Sequence, residues 1–442
     1  MNKLTFQTRR EFLRSTVLGG AFSWTIPAFL ANTLSALQTE AEEKATQTTT
    51  GRDGTILVVL QMAGGNDGLN TVVPYSNDYY HRARPRLGLQ QSKVLKLNDE
   101  VALHPNLAGF KDLYDAGQLS IVQGVGYPNP NRSHFRSTEI WQTASGADQV
   151  ERYGWLGRYF DNACIGCDPS VGISIGRQMP QAFVAKSPNG VSLDNPQNYR
   201  FIPDRGDGAA EAKATESSFR KLNQPGDDMT ENSGGTIGAI AGAVTHTGSA
   251  LDFLERTALD AQLSSDTIRA IADRGQSDAT YPTSQLGNAL KLVAKLIGGG
   301  MATRVFYVSQ GGYDTHTNQL GAQDRLLKDL GDSVKAFVQD LKGQGNLPRV
   351  LVMTFSEFGR RVTENASGGT DHGAAAPMFV IGDRVKAGLL GQYPSLAPAD
   401  LFQGDLKYTV DFRSVYATVL ESWLKTRSDL ILGRRYPVLG VV

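Results

Sequence analysis

The chain has 442 residues, and its 44 basic residues balance 44 acidic ones. That balance argues against nucleic acid or an acidic membrane surface as partner. Its two cysteines cannot supply the four ligands of a structural zinc site.

The first segment reads as an address. Lys3, Arg9, Arg10 and Arg14 precede an apolar stretch over residues 15–37 that Gly19, Gly20 and Pro27 interrupt, and no acid stands before Glu11. Such a stretch is too short and broken for a good membrane span and has the flanks of a signal peptide. Thr8-Arg9-Arg10-Glu11-Phe12-Leu13 resembles the twin-arginine consensus. The expectation is a signal peptide over 1–37, engaged by the twin-arginine translocase, and a periplasmic or otherwise extracytoplasmic protein. Cleavage would follow Ala31 or Ala36; retention as an uncleaved membrane anchor is the alternative. Residues 38–54, polar and Thr-rich, read as a linker, and roughly 400 residues then remain, enough for one large domain or two ordinary ones.

Residues 55–62 form an apolar run of strand length, followed by a helical pattern over 106–116 and a second buried strand over 119–125. Residues 133–143 read as a helix with Ser133 at its N-cap. The rhythm breaks over 146–300, which has polar Gly-rich loops at 206–235 and helical stretches near 250–273 and 284–297; it reads as a large inserted cap. Its run 234–244 is Gly-rich but lacks the Lys-Ser/Thr of a phosphate loop. Within this segment Cys164-Ile165-Gly166-Cys167 predicts a short-range disulfide in an oxidising compartment, with a redox pair as the alternative. Strands at 304–308, 349–354 and 378–381 and helices at 324–341 and 411–424 complete the chain. This alternation predicts an α/β domain over 55–442 with a mainly parallel sheet sandwiched by helices.

Ligands of such a sheet gather at the carboxyl ends of its strands. The segments there are Ala63–Asn70, Gly126–His134, Gln310–His316, Ser356–Arg360 and, just before the fifth strand, Thr370–Gly373. Singly each is an ordinary turn or local pair. Together they bring carboxylates and imidazoles to one edge, the ligand types of zinc or manganese, and crowded carboxylates call for one or two divalent ions. The hydroxyl of Ser133, at a helix N-terminus, could attack an ester, and the helix would favour an anionic group such as phosphate or sulfate.

Four blocks then carry a resemblance: Gly64-Gly65-Asn66-Asp67-Gly68-Leu69-Asn70-Thr71, Ser133-His134-Phe135, Gly312-Tyr313-Asp314-Thr315-His316, and Ser356-Glu357-Phe358-Gly359-Arg360 with Asp371-His372-Gly373. In this order they resemble the twin-arginine-exported domain of unknown function 1501 family, placed in the alkaline phosphatase–sulfatase superfamily. The resemblance implies an alkaline-phosphatase-like fold and a metal-dependent hydrolase of phosphate or sulfate esters. It further implies Asp67, Asp314, His316, Glu357 and His372 as metal ligands, with Ser133, as nucleophile, and His134 as the catalytic residues. Asn70, Asp371 and Arg360 would orient these ligands, and Asp371 could itself bind metal. Two departures stand out: Phe358 occupies a position usually held by His, and Asp314 and His316 are two apart rather than four. The alternative function is a non-catalytic exported binding protein on the same fold.

Overall fold

The computed structural model describes residues 54–164, 167–186, 190–196 and 265–442. The expected signal peptide with Arg9 and Arg10, the expected linker up to residue 53, and the expected loops at 206–235 and 234–244 lie outside these described residues. The chain divides into two units, and the one made of Glu42–Asn198 and Ile268–Val442 carries the features below.

In chain order that unit runs β1 (Ile56–Met62), α1 (Gly68–Thr71), β2 (Val72–Val73), α2 (Asp78–Ala83), β3 (Leu95–Lys96), β4 (Ala102–Leu103), α3 (Ala108–Asp115) and β5 (Leu119–Gly126). There follow α4 (His134–Thr143), α5 (Trp155–Ala163), β6 (Gly172–Ile175), β7 (Val191–Leu193), α6 (Gln285–Gly298) and β8 (Val305–Gln310). The last part comprises α7 (Gln319–Gly343), β9 (Val350–Phe355), β10 (Ala376–Ile381), β11 (Gly388–Leu390), β12 (Val410–Asp411), α8 (Phe412–Thr418) and α9 (Ser428–Leu432).

The main sheet has the order β11-β5-β10-β9-β1-β8-β6-β7, with β12 paired to the far end of β5. β1 is central and parallel to both β8 and β9. Its seven residues are all buried, as a continuous apolar run covered on two faces requires. β10 alone runs antiparallel, to β5 on one side and to β9 on the other. This reversal matters for the site. The start of an antiparallel strand lies at the edge where its parallel neighbours end, so the segment before β10 joins the loops after β1, β8 and β9.

Alternate strand residues feed two layers. On one face Leu57, Val59, Tyr307, Met353 and Phe355 join Trp141 of α4 and Tyr416 of α8. Trp141 stacks between Phe355 and Phe412, with ring centroids 5.6 and 4.3 Å away. On the other face Phe110 of α3 meets Phe379 edge-on at 4.9 Å. α6 packs against α7 and β8 there.

Several elements differ from expectation. β6 and β7 fall inside the segment read as an inserted cap, yet they extend the sheet beyond β8. Each is only three or four residues long, too short for periodicity to register. α7 begins at Gln319 rather than near 324, because its first turn carries the polar but buried Gln319 and Gln323, which serve Asp67. The expected closing helix passes from α8 into a π-turn over Val419–Trp423. A disulfide joins Cys164 and Cys167. Among the described residues no helix is long and apolar enough to cross a membrane.

Candidate metal centre

The strand-end loops are fastened by one buried guanidinium. Arg360 donates to the carbonyls of Gly65 (2.6 Å), Thr370 (2.8 Å), Tyr313 (2.9 Å) and Gly64, and to Asp314 Oδ1 at 2.8 Å. It thereby ties the loops after β1, β8 and β9 to the segment before β10. Gly64 lets the first two loops touch: its φ is +118°, and a Cβ there would lie 2.4 Å from the backbone nitrogen of Asp314.

Around Asp314 stand three imidazoles. Its Oδ1 lies 3.1 Å from Nε2 of both His316 and His372, and its Oδ2 lies 3.4 Å from Nε2 of His134. His316 Nε2 and His372 Nε2 are themselves 2.9 Å apart. Each ring is held from behind through Nδ1. His134 meets Glu357 Oε1 at 3.0 Å, His316 meets Asp371 Oδ1 at 3.2 Å, and His372 meets the Arg132 carbonyl at 2.7 Å.

These contacts fix one proton on each ring. A carbonyl or carboxylate oxygen can only accept, so each Nδ1 carries a hydrogen, and each Nε2, turned toward Asp314, donates to it when it bears a proton and offers a lone pair to a cation when it does not. Two lone pairs facing each other at 2.9 Å repel unless a proton or cation lies between them. Asp314 is a strong anion here. Burial pushes its carboxyl up, but hydrogen bonds from Arg360 and His372 and the charges of Arg360 and His134 outweigh this and bring it to about 2. Asp371 is lowered chiefly by the hydrogen bond from Asn365, against a smaller effect of burial, with His316 also contributing.

The remaining expected site residues fall in other places. Asp67 is buried in an ion pair with Arg84 Nη1 at 2.5 Å, and the same Oδ2 also accepts from Gln319 Nε2. Its Oδ1 caps α1 by accepting from Leu69 N at 3.2 Å. The carboxylate expected to bind metal is thus paired with a guanidinium in this structure. Asn70 belongs to the same group, accepting from Arg84 at 2.7 Å. Glu357 is buried behind His134, its Oε1 shared with the backbone N–H of Gly64 at 2.7 Å. Phe358 packs its ring against His372 and His134, at 4.4 and 5.0 Å between centroids. Among the described residues only one cluster of three or more potential ligands forms, and His134, Asp314 and His372 define it. Of the one or two ions expected, this cluster offers a place for one.

Ser133 is exposed at the N-terminus of α4, and its side chain makes no capping bond. Ser137, one turn on, is buried, donates to the Glu357 carbonyl and meets Tyr127 Oη at 2.8 Å. Its hydroxyl is committed to the scaffold. His134 was expected beside the nucleophile, yet its Nε2 faces Asp314 as the other two rings do. The Ser133-His134-Phe135 block carried that signal, but nothing local told a ligand from a base.

A family model described as "Protein of unknown function (DUF1501)" matches residues 55–432. The chain belongs to this family. No curated protein matches the DUF1501 chain in sequence. Among solved structures it is similar to a protein in the alkaline phosphatase superfamily from Vibrio parahaemolyticus, at 9% identity and TM-score 0.31, covering 83% of this chain and 71% of that one. It is also similar to the C-terminal periplasmic domain of EcEptC from Escherichia coli in complex with Zn, at 9% identity and TM-score 0.35, covering 76% and 75%. A third is the alkaline phosphatase of the Antarctic bacterium TAB5, at 9% identity and TM-score 0.31, covering 75% and 92%. Overlaps this loose leave the chemistry to the chain's own residues.

Those residues fit a metal ion. The donor set is two imidazole nitrogens, of His134 and His372, and the Asp314 carboxylate, with His316 Nε2 3.1 Å from the same carboxylate, and such donors suit zinc or manganese. Each imidazole has the rear acceptor that metal-bound histidines have. Behind His134, the buried Glu357 Oε2 has no hydrogen-bond partner among the described residues.

Proposed function

We propose that this DUF1501 protein is an exported hydrolase of phosphate or sulfate esters with a single divalent-metal centre held by His134, Asp314, His316 and His372. The observation that carries the reading is the convergence of three Nε2 atoms on one carboxylate, with every Nδ1 anchored from behind. A zinc or manganese ion, when bound, supplies Lewis acidity to an ester oxygen and lowers the pKa of a neighbouring hydroxyl. The rest of the work falls to side chains. Glu357, Asp371 and the Arg132 carbonyl hold the tautomers, so the ligands need no reorganisation. Ser133 Oγ, uncommitted and next to His134, is the candidate nucleophile, and the first-turn N–H groups of α4 would favour an anionic group beside it. Arg84 neutralises Asp67 permanently, which supports one ion rather than two. The extracytoplasmic location rests on Arg9 and Arg10 in the leader.

The test is elemental analysis of the full chain purified from its export route, followed by a screen of phosphate and sulfate esters. The expected result is one equivalent of zinc or manganese, and ester turnover that a chelator abolishes and the metal restores. Ser133→Ala should end turnover and keep the metal. A protein that holds no metal and turns nothing over would instead be a non-catalytic binding protein on this fold.

A further inference from the structure

Beside the imidazole cluster lies a second charged group that the proposed metal centre does not use. Asp405 has a fully buried side chain between two arginines. Arg132 donates to its Oδ2 through Nε at 2.9 Å and also through Nη2. Arg361 approaches Oδ1 only to 3.8 Å, and that buried oxygen has no hydrogen-bond partner. Burial pushes the Asp405 carboxyl up despite the Arg132 contact, and one carboxylate carries at most one negative charge against the two guanidiniums beside it. The guanidinium side chains are 31% and 39% exposed, and among the described residues no other hydrogen bond engages them. The other carboxylate near Arg361 is Asp371, whose Oδ1 is already taken by His316 and Asn365.

Two cations sharing one buried anion leave a surplus positive charge, and its position is defined. Arg132 immediately precedes Ser133, and its carbonyl holds His372. Arg361 immediately follows Arg360, and its backbone N–H donates to the Asp371 carbonyl at 3.0 Å. Both guanidiniums thus stand on the backbone of the site, anchored on one side by Asp405 and open on the other. Planar forks of donors suit the oxygens of a tetrahedral anion.

We infer that Arg132 and Arg361, set around Asp405, form an oxyanion clamp that binds the phosphate or sulfate group of the substrate. The inference deepens the proposed function and rests on it for the identity of the ester. Anion binding itself is measurable without turnover or metal.

The experiment is calorimetric titration of inorganic phosphate and, separately, sulfate into the full chain, both chelator-treated and metal-loaded. Wild type should bind at least one of the two anions, and whichever binds more tightly identifies the ester class. Arg361→Ala should weaken that binding by at least about tenfold with metal content unchanged. Arg361→Lys should recover part of it, since it keeps charge without the fork. Arg132→Ala can unfold the protein by stranding Asp405, so Arg361, half exposed and only loosely held, decides the matter. Failure of wild type to bind either anion at millimolar concentration, or an Arg361→Ala protein that binds like wild type, overturns the clamp. If the metal is present and Arg361→Ala changes nothing, the clamp alone falls. If no metal is found but Arg361→Ala still loses the anion, the clamp stands and the metal reading falls.

Discussion

Glu357 accepts from Gly64 N–H and from His134 Nδ1 through the same oxygen. Its charge therefore acts on the centre through an imidazole. Glu357→Gln keeps the volume but removes the charge that fixes the ring and raises its basicity. Metal affinity should fall about 10–100-fold, read by competition with a chelator of known affinity. An unchanged affinity would show that His134 needs no support from behind. Asp67 poses the opposite case. Its partner Arg84 is fully buried, with two further bonds to the carbonyls of Val362 (3.0 Å) and Arg361 (2.9 Å). Arg84→Met would leave a buried carboxylate without its cation, at a cost of about 3–5 kcal/mol. Chemical denaturation measures that loss, and the folded fraction should keep its metal. A second equivalent of metal in this variant would mean that Asp67 can still act as a ligand once the guanidinium is removed.

At the scale of elements, the loop after β1 is the piece on which the centre depends. Gly64→Ala must place a Cβ 2.4 Å from the Asp314 nitrogen at φ +118°, so either the backbone strains or the β8 loop retreats. The strain alone is about 1–3 kcal/mol, and movement of Asp314 should weaken metal binding as well. Gly343→Ala, at the end of α7 with no atom within 4 Å of the new Cβ, is the matched control and should change neither melting temperature nor metal content. The same elements show what the sequence could reveal. β1, β5, β8, β9 and β10 are predominantly apolar and buried along most of their length, and such stretches can be seen along the chain. The reversal of β10 left no trace in composition, because strand direction is set by which neighbours accept the hydrogen bonds. The reading that the segment before the fifth strand sits with the others was nonetheless compatible with that reversal. Gln319 and Gln323 were invisible as helix starters and as partners of Asp67, since a buried polar side chain looks exposed until its partner is known. Arg84, Arg132 and Asp405 were missed as members of the site for the same reason: each is defined by a contact across 17 or 273 positions of sequence.

At the scale of the whole molecule, the site joins residues 64 and 372, and the thiols join only 164 to 167. Folding of the centre should therefore not depend on oxidation, whereas the redox state of the cysteine pair would report the compartment the chain has reached. This separates two questions in one experiment. Exchange of Arg9 and Arg10 for lysine keeps the charge of the leader and removes only the guanidinium groups, so it tests specific recognition rather than electrostatics. The double variant should remain in the cytoplasm, where thiol counting after denaturation should find two free cysteines, while exported wild type should show none. Because no thiolate takes part in the donor set, the retained protein should bind the same single equivalent of metal if loaded in vitro. Export of the lysine variant at the wild-type level would remove the twin-arginine route. Two free thiols in the exported wild type would show that the Cys164–Cys167 pair is reduced at its destination and would return the redox alternative for that pair.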